Sequence, residues 1–397
     1  MRGRQPRGGL SGLAPRRRGG ARDPRRPRHS PRRPVARRRA LGGDRDRLRP
    51  IPPDSRQGRL RRPGQRRAQA GRGSRARRRD ARHRRGAPPA GRRPGPARRA
   101  RRVLRLGPRT RGAPPDAPAG LAVRSLAADD GETIRVAVAG EGPALVLLHG
   151  WTVSHAEWSP LMHELAPRFT TYRWDARAHG GHAPGTGTVP TVQRMARDLR
   201  DLLEAFDLEG ATLVGHSMGV LTIWEYIRQF GTRGLGGLVL VDQSPKLVTD
   251  ASWRHGLYGD FDAERSAAFL ADLEADFAEA VLRLAALGLN ERARRKYAEN
   301  SRGWQVARGA LRKQAAGPLV ETWRSLVQAD WREVLPAIDV PTLLVYGGES
   351  NFYDAPTREW VHAAIPGSRL IVYEDADHSP HQAAPRRFVR DLGEFLA

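Results

Sequence analysis

Gly215-His216-Ser217-Met218-Gly219 sets a serine between two glycines at the spacing of a sharp turn. A serine hydroxyl that is to attack a carbonyl carbon must project from such a turn, and the flanking positions must be small for the chain to bend so tightly. The pentapeptide alone is weak evidence, but its surroundings are specific. It follows the apolar run from Ala211 to Val214 and opens a helical pattern near Val220, the strand-to-helix setting that this chemistry requires. Ser217 is therefore read as a nucleophile on an elbow. His216 is read as structural, because in such a turn it points away from its neighbour. A hydroxyl attacks poorly until a base removes its proton, so a histidine and a group to orient it must come from elsewhere in the chain.

The elements that would hold these groups can be traced from Leu121 onward. Ile134 to Val138 alternates apolar and polar residues, as a half-buried strand does. Ala144 to Leu148 is a continuous apolar run, as expected of a strand covered on both faces. Further strands are expected at Arg168–Trp174, Ala211–Val214, Gly237–Val241, Pro341–Tyr346 and Arg369–Tyr373. Val192–Phe206 and Val220–Phe230 have helical spacing. Strands alternating with helices predict a largely parallel, doubly wound α/β sheet. Between about 245 and 336 no strand pattern appears, and Phe261 to Leu289 is amphipathic and helical. An all-helical insertion there would form a lid over the strand ends, where open α/β sheets place their sites.

Composition divides the chain near residue 120. Residues 1–120 hold 41 Arg, no Lys and six Asp, a net charge of +35, whereas residues 121–397 hold 29 basic and 36 acidic residues, a net charge of −7. The leader has no Phe, Trp or Tyr, so it cannot bury enough apolar surface to offset chain entropy and is expected to be disordered. Its Arg, Gly, Pro and Ala are encoded by GC-rich codons, which reads first as upstream DNA translated from an early start. An arm for nucleic acid and a basic tail for anionic membranes are the alternatives. The domain expectation is thus a leader at 1–120 and one folded domain at 121–397. No cysteine is present, which excludes disulfides and thiolate chemistry. No apolar run approaches the ~20 residues of a membrane span. No apolar segment follows the basic start as in a secretory signal, so a cytoplasmic location is expected.

Three further segments extend the pattern. His149-Gly150-Trp151 follows an apolar strand, Asp175-Ala176-Arg177-Ala178-His179-Gly180 follows another, and Asp377-His378-Ser379-Pro380 lies near the C-terminus. With the elbow, and in this order, residues 121–397 resemble the α/β-hydrolase family, specifically its compact esterase and cofactor-free haloperoxidase-like branch. Ala178 and Asp377 stand where that family usually has glycine. The resemblance implies an α/β-hydrolase fold and an oxyanion hole made by the backbone N–H groups of Met218 and Trp151. His149 is read as a brace for the loop, as are Asp175 and Arg177.

The resemblance also implies a triad. His378 follows the last strand, the place that the chain order of serine, acid and histidine demands. His381, His362, His255 and His182 lack that context. The acid departs from the pattern. The family usually places it shortly after the strand ending at Tyr346, where this chain reads Gly348-Glu349-Ser350-Asn351. Asparagine can orient an imidazole but cannot stabilise the imidazolium as a carboxylate does. Asp242, directly after the strand Leu238–Val241, is the first choice, since some members carry their acid there. Asp354, Glu349 and no acid at all are the other choices. Trp151, Trp158, Trp253, Trp304 and Tyr258 are candidates to line an apolar pocket, or equally to pack the core and lid.

The expected activity is hydrolysis of a carboxylic ester or related acyl compound through an acyl-serine intermediate. A cofactor-free haloperoxidase or perhydrolase reaction and carbon–carbon bond hydrolysis use the same triad, and fold does not choose among them. No metal, nucleotide or flavin motif is present, so no cofactor or metal is expected, and the expected partner is a small acyl substrate. Nucleic-acid binding by the leader is the alternative of another class. The lack of aromatic residues there argues against base stacking.

Overall fold

The continuous apolar runs become the centre of one sheet. The computed structural model describes residues 122–181 and 188–397. The leader, with its reading as a disordered arginine-rich segment, lies outside the described residues, as does His182. Eight strands are present: β1 (Ala122–Ala127), β2 (Thr133–Ala139), β3 (Ala144–Leu148), β4 (Thr170–Asp175), β5 (Ala211–His216), β6 (Leu235–Val241), β7 (Thr342–Gly347) and β8 (Arg369–Tyr373). They lie in the order β1-β2-β4-β3-β5-β6-β7-β8. β2 runs antiparallel to both β1 and β4, and every later pairing is parallel. The expected doubly wound architecture is therefore present. β1 escaped the sequence pattern because it is an edge strand in which only Leu126 is buried, so it shows neither alternation nor an apolar run.

The helices are α1 (Met162–Leu165), α2 (Val192–Ala205), α3 (Met218–Phe230), α4 (Ala263–Ala275), α5 (Phe277–Ala286), α6 (Glu291–Ala298), α7 (Arg302–Leu311), α8 (Ala316–Val327), α9 (Ala355–Ala364), α10 (Pro380–Ala383) and α11 (Pro385–Phe395). Alternating residues of the central strands face two separate cores, as strand geometry requires. Val146 and Leu148 pack with Met195, Leu199 and Leu202 of α2 and with Leu221 and Trp224 of α3. Leu145 and Leu147 pack on the opposite face with Met162 and Leu165 of α1 and with Phe388 and Leu392 of α11.

The stretch between β6 and β7 holds α4 to α8 and, among the described residues, no strand of the sheet. The predicted helical span Phe261–Leu289 is two helices. The break falls at Asp276, whose extended backbone (φ −147°, ψ 90°) ends α4 while its carboxylate accepts the N–H of Glu279 at the start of α5. Asp262 and Asn290 cap α4 and α6 in the same way. Each cap satisfies a donor that a helix start leaves without an intrahelical partner. The insertion shares one core with the sheet, through Leu273, Leu282, Trp323 and Leu326. Among the described residues no helix is long and apolar enough to cross a membrane.

Candidate active site

The tips of β3, β5, β6 and β7 place the chemistry-bearing residues in one region. β5 ends at His216 and α3 begins at Met218, so Ser217 alone makes the turn. Its backbone is in the left-handed region (φ 51°, ψ −115°), an unfavourable place for a residue with a side chain. The Ser217 N–H donates to Val241 O at 3.2 Å, tying the elbow to the end of β6. The two motif glycines have a direct steric reason. A Cβ on Gly219 would sit 2.2 Å from Leu148 O, and one on Gly215 would sit 2.7 Å from the backbone of Gly219. Gly219→Ala should therefore push α3 away from β3, at a cost of about 3 kcal/mol by the measure of overpacked cores. Thermal melts of the two proteins would show it, and a variant as stable as the parent would contradict the packing described.

His378 lies in the loop between β8 and α10, with its side chain mostly buried. Its Nδ1 is 3.3 Å from Oδ1 of Asp242. Asp242 is fully buried at the tip of β6. Its Oδ2 accepts the Gly347 N–H at 2.9 Å, and its Oδ1 also accepts the Ser350 hydroxyl at 2.9 Å. Asp242 is itself in the left-handed region (φ 48°). The other carboxylates stand apart from the imidazole. Glu349 is exposed and pairs with Arg292 at 3.2 Å. Asp354 caps α9 by accepting from the N–H and hydroxyl of Thr357. Asn351 accepts the His378 backbone N–H through Oδ1 at 3.2 Å and donates through Nδ2 to Ala285 O at 2.7 Å. It positions the loop, not the ring. Burial pushes the His378 pKa down, outweighing the opposite pull of Asp242, and the charge of His216 adds to the depression.

Trp151, Met218, Ser217 and His378 line one cavity of about 240 Å³. Among the described residues neither the Trp151 nor the Met218 N–H is taken by a protein acceptor outside its own helix, and the Ser217 hydroxyl makes no hydrogen bond. Leu221, Leu247, Leu257, Leu284, Trp323 and Phe352 supply apolar walls. Among the described residues no lysine or arginine lines it. The insertion contributes several of these walls, so it covers the strand ends as a lid would. Trp158, Trp253, Trp304 and Tyr258 do not line this cavity. Trp158 is wholly buried beside His381, Trp253 packs on Trp360, Trp304 on Tyr297, and Tyr258 donates to Leu284 O. Trp151 does line it, held by a bond from its Nε1 to Leu319 O at 3.0 Å and by Trp323 against its ring.

His149 braces its loop as expected. Its Nε2 accepts the Ala176 N–H at 3.0 Å, which fixes the proton on Nδ1, where Gly150 O receives it at 2.7 Å. Arg177 forms a double contact with Asp198, at 2.6 Å from Nε and 2.6 Å from Nη2. Asp175 accepts the His155 N–H at 2.8 Å. His216 does more than fill space. Its Nε2 donates to His378 O at 2.9 Å, and its Nδ1 lies 2.5 Å from Glu157 Oε1. Glu157 Oε2 accepts the Gly150 N–H at 2.8 Å. Burial alone would raise the Glu157 pKa, but His216 holds it well below the usual range; Glu157 in turn outweighs the burial of His216 and raises its pKa. A buried ion pair thus links the Gly150 loop, the elbow and the His378 loop. No sequence signal singled out Glu157, which stands in no motif, or Ser350, which fills the variable position of the Gly348–Asn351 segment.

The model of the alpha/beta hydrolase family matches residues 145–391. A pimeloyl-[acyl-carrier protein] methyl ester esterase of Chromobacterium violaceum is 28% identical over 260 residues, covering 65% of this chain and 95% of that protein. A putative 2-succinyl-6-hydroxy-2,4-cyclohexadiene-1-carboxylate synthase of Bacillus subtilis is 29% identical over 271 residues, covering 66% and 95%. Among solved structures, an esterase from Rhodococcus superposes with a TM-score of 0.56 at 26% identity, covering 69% of this chain and 98% of that one. A bromoperoxidase from Bacillus anthracis shares the fold, with a TM-score of 0.59 at 20% identity and coverage of 70% and 99%. With a match across well over half of its length, this chain belongs to the alpha/beta hydrolase family and is a hydrolase.

Proposed function

We propose that the enzyme hydrolyses a neutral carboxylic ester with an uncharged, largely apolar acyl group, through an acyl-serine intermediate. One observation carries the proposal: a serine on a strained elbow and a histidine backed by a buried carboxylate share one apolar cavity. In this reading Ser217 Oγ attacks the ester carbon and His378 Nε2 takes its proton. Asp242 orients the ring and offsets the charge that forms on it. The carbonyl oxygen becomes an oxyanion, received by the N–H groups of Met218 and Trp151. The intermediate expels the alcohol, which takes the proton from His378. Water then attacks the acyl carbon with His378 again as base, releasing the acid and restoring Ser217.

The cavity supports the substrate class. Its walls are mainly apolar, among the described residues no lysine or arginine lines it, and the charge of His216 is already paired with Glu157, so a free carboxylate on the acyl chain would be desolvated without compensation. The curated esterase relative acts on a methyl ester by its name, which agrees with a neutral ester here. A panel of p-nitrophenyl esters, neutral and carboxylate-bearing, tests this. Turnover of the neutral members and rejection of the charged ones is expected; preference for the charged members would refute it.

The same reading fixes a pH dependence. A base must be neutral to accept a proton, so kcat/KM should rise as His378 deprotonates. Burial lowers that pKa from its ordinary 6.5, so the acid limb should have its midpoint below that value and activity should be complete at neutral pH. A pH–rate profile of kcat/KM measures it. A midpoint above the ordinary histidine range would contradict the assignment.

A further inference from the structure

Gln243, next to Asp242, is a polar side chain with only half of its hydrogen-bonding capacity used. It is 3% exposed and lines the cavity. Its Oε1 accepts the Ser244 N–H at 2.8 Å and the hydroxyl of Tyr353. A backbone N–H can only donate, so the oxygen must face Ser244 and the amide cannot be turned round. The Nε2 group is then fixed on the other side, where no protein acceptor meets it among the described residues. It is not sealed off from all space, and the space that Gln243 borders is the cavity. Leu247, Leu257 and Phe352 also line that cavity. An occupant with a suitably placed acceptor gives this donor the partner that the apolar walls do not.

We propose that Gln243 selects the substrate, its Nε2 donating to a second, uncharged carbonyl oxygen carried on the acyl chain. The inference rests on Ser217 as nucleophile, since that fixes which end of the ester lies at the elbow. The acceptor is uncharged because the fully buried Asp242 adjoins Gln243, among the described residues no lysine or arginine lines the cavity, and His216 is already paired with Glu157. The N–H of Ser217 donates to the carbonyl of Val241, two residues before Gln243. The amide and the nucleophile therefore spring from adjacent strand tips, within the reach of one acyl chain.

The test compares p-nitrophenyl hexanoate with its singly oxo-substituted counterparts, the ketone moved one carbon at a time. At one position the parent enzyme should prefer the oxo ester by at least about tenfold in kcat/KM. Gln243→Met should bring that ratio close to one. Gln243→Glu keeps an oxygen for Ser244 and Tyr353 while removing the amide donor, and it should also lose the preference; this serves if the first variant folds poorly. Calorimetric Kd values for the same esters on Ser217→Ala protein give a readout without turnover, and they should show the same preference. Failure to hydrolyse any of these esters would count against the ester hydrolase reading alone, because the Kd comparison still judges Gln243. Indifference to the ketone at every position, in rate and in Kd, would overturn the inference. So would a preference that survives both substitutions.

Discussion

Ser217→Ala should leave a folded protein that a fluorophosphonate no longer labels and whose ester turnover falls by on the order of 10⁶, the loss seen when the nucleophile of a serine protease is removed. Folding should survive because the hydroxyl makes no hydrogen bond among the described residues. The strained backbone at this position (φ 51°) is no worse for alanine than for serine. The proposed oxyanion donors, the N–H groups of Met218 and Trp151, and the apolar cavity remain, so weak residual acceleration and ester binding should persist. Labelling that continues in a folded Ser217→Ala protein would remove Ser217 from the mechanism. Intact-mass measurement after labelling gives the answer directly.

Asp242→Asn should lower kcat by on the order of 10⁴ while the fold is kept. The reason is the direction of each hydrogen bond. Gly347 N–H can only donate, so the single oxygen of asparagine must stay on that side, where Oδ2 now sits at 2.9 Å. The amide nitrogen then faces His378 Nδ1 in place of Oδ1. An N–H pointed at Nδ1 forces the ring proton onto the other nitrogen, the one that should accept from Ser217. The base would be held in the wrong tautomer and would also lack a charge to balance the imidazolium. Glu349→Gln and Asp354→Asn should change kcat little. The first carboxylate is exposed on Arg292, and the second caps a helix that asparagine caps equally well. Steady-state kinetics on the three variants decides the matter. A large loss from either of the latter two, with Asp242→Asn active, would reassign the acid.

The sheet was legible because its strands carry their burial in their composition. β3, β5, β6 and β7 are buried along nearly their whole length and read as mainly apolar runs. The elbow was legible because its glycines answer to steric limits within a few residues. Asp242 was a harder reading, reached because Asn351 stood where the family keeps a carboxylate. Its supports could not be read at all: Gly347 and Ser350 lie 105 and 108 residues away along the chain. Glu157 was hidden for the same reason, since nothing local to His155–Leu161 requires an acid to face His216. Which aromatic rings reach the cavity stayed open in the sequence, because the packing of the insertion, not its composition, decides it. Trp323 does and Trp304 does not.

The position of Asn351 has a bearing on how such a site can change by mutation. The side chain accepts from His378 N–H on one side and donates to Ala285 O on the other. Only a group with both a donor and an acceptor satisfies the two at once. An ionised carboxylate there would keep the first bond and set its second oxygen against the Ala285 carbonyl. A carboxylate at position 351 would therefore meet both partners only when protonated, without the charge that Asp242 carries at the tip of β6. An ionised carboxylate at 351 would need α5, which carries Ala285, to give way, so the charge of this loop and the seating of the insertion are coupled.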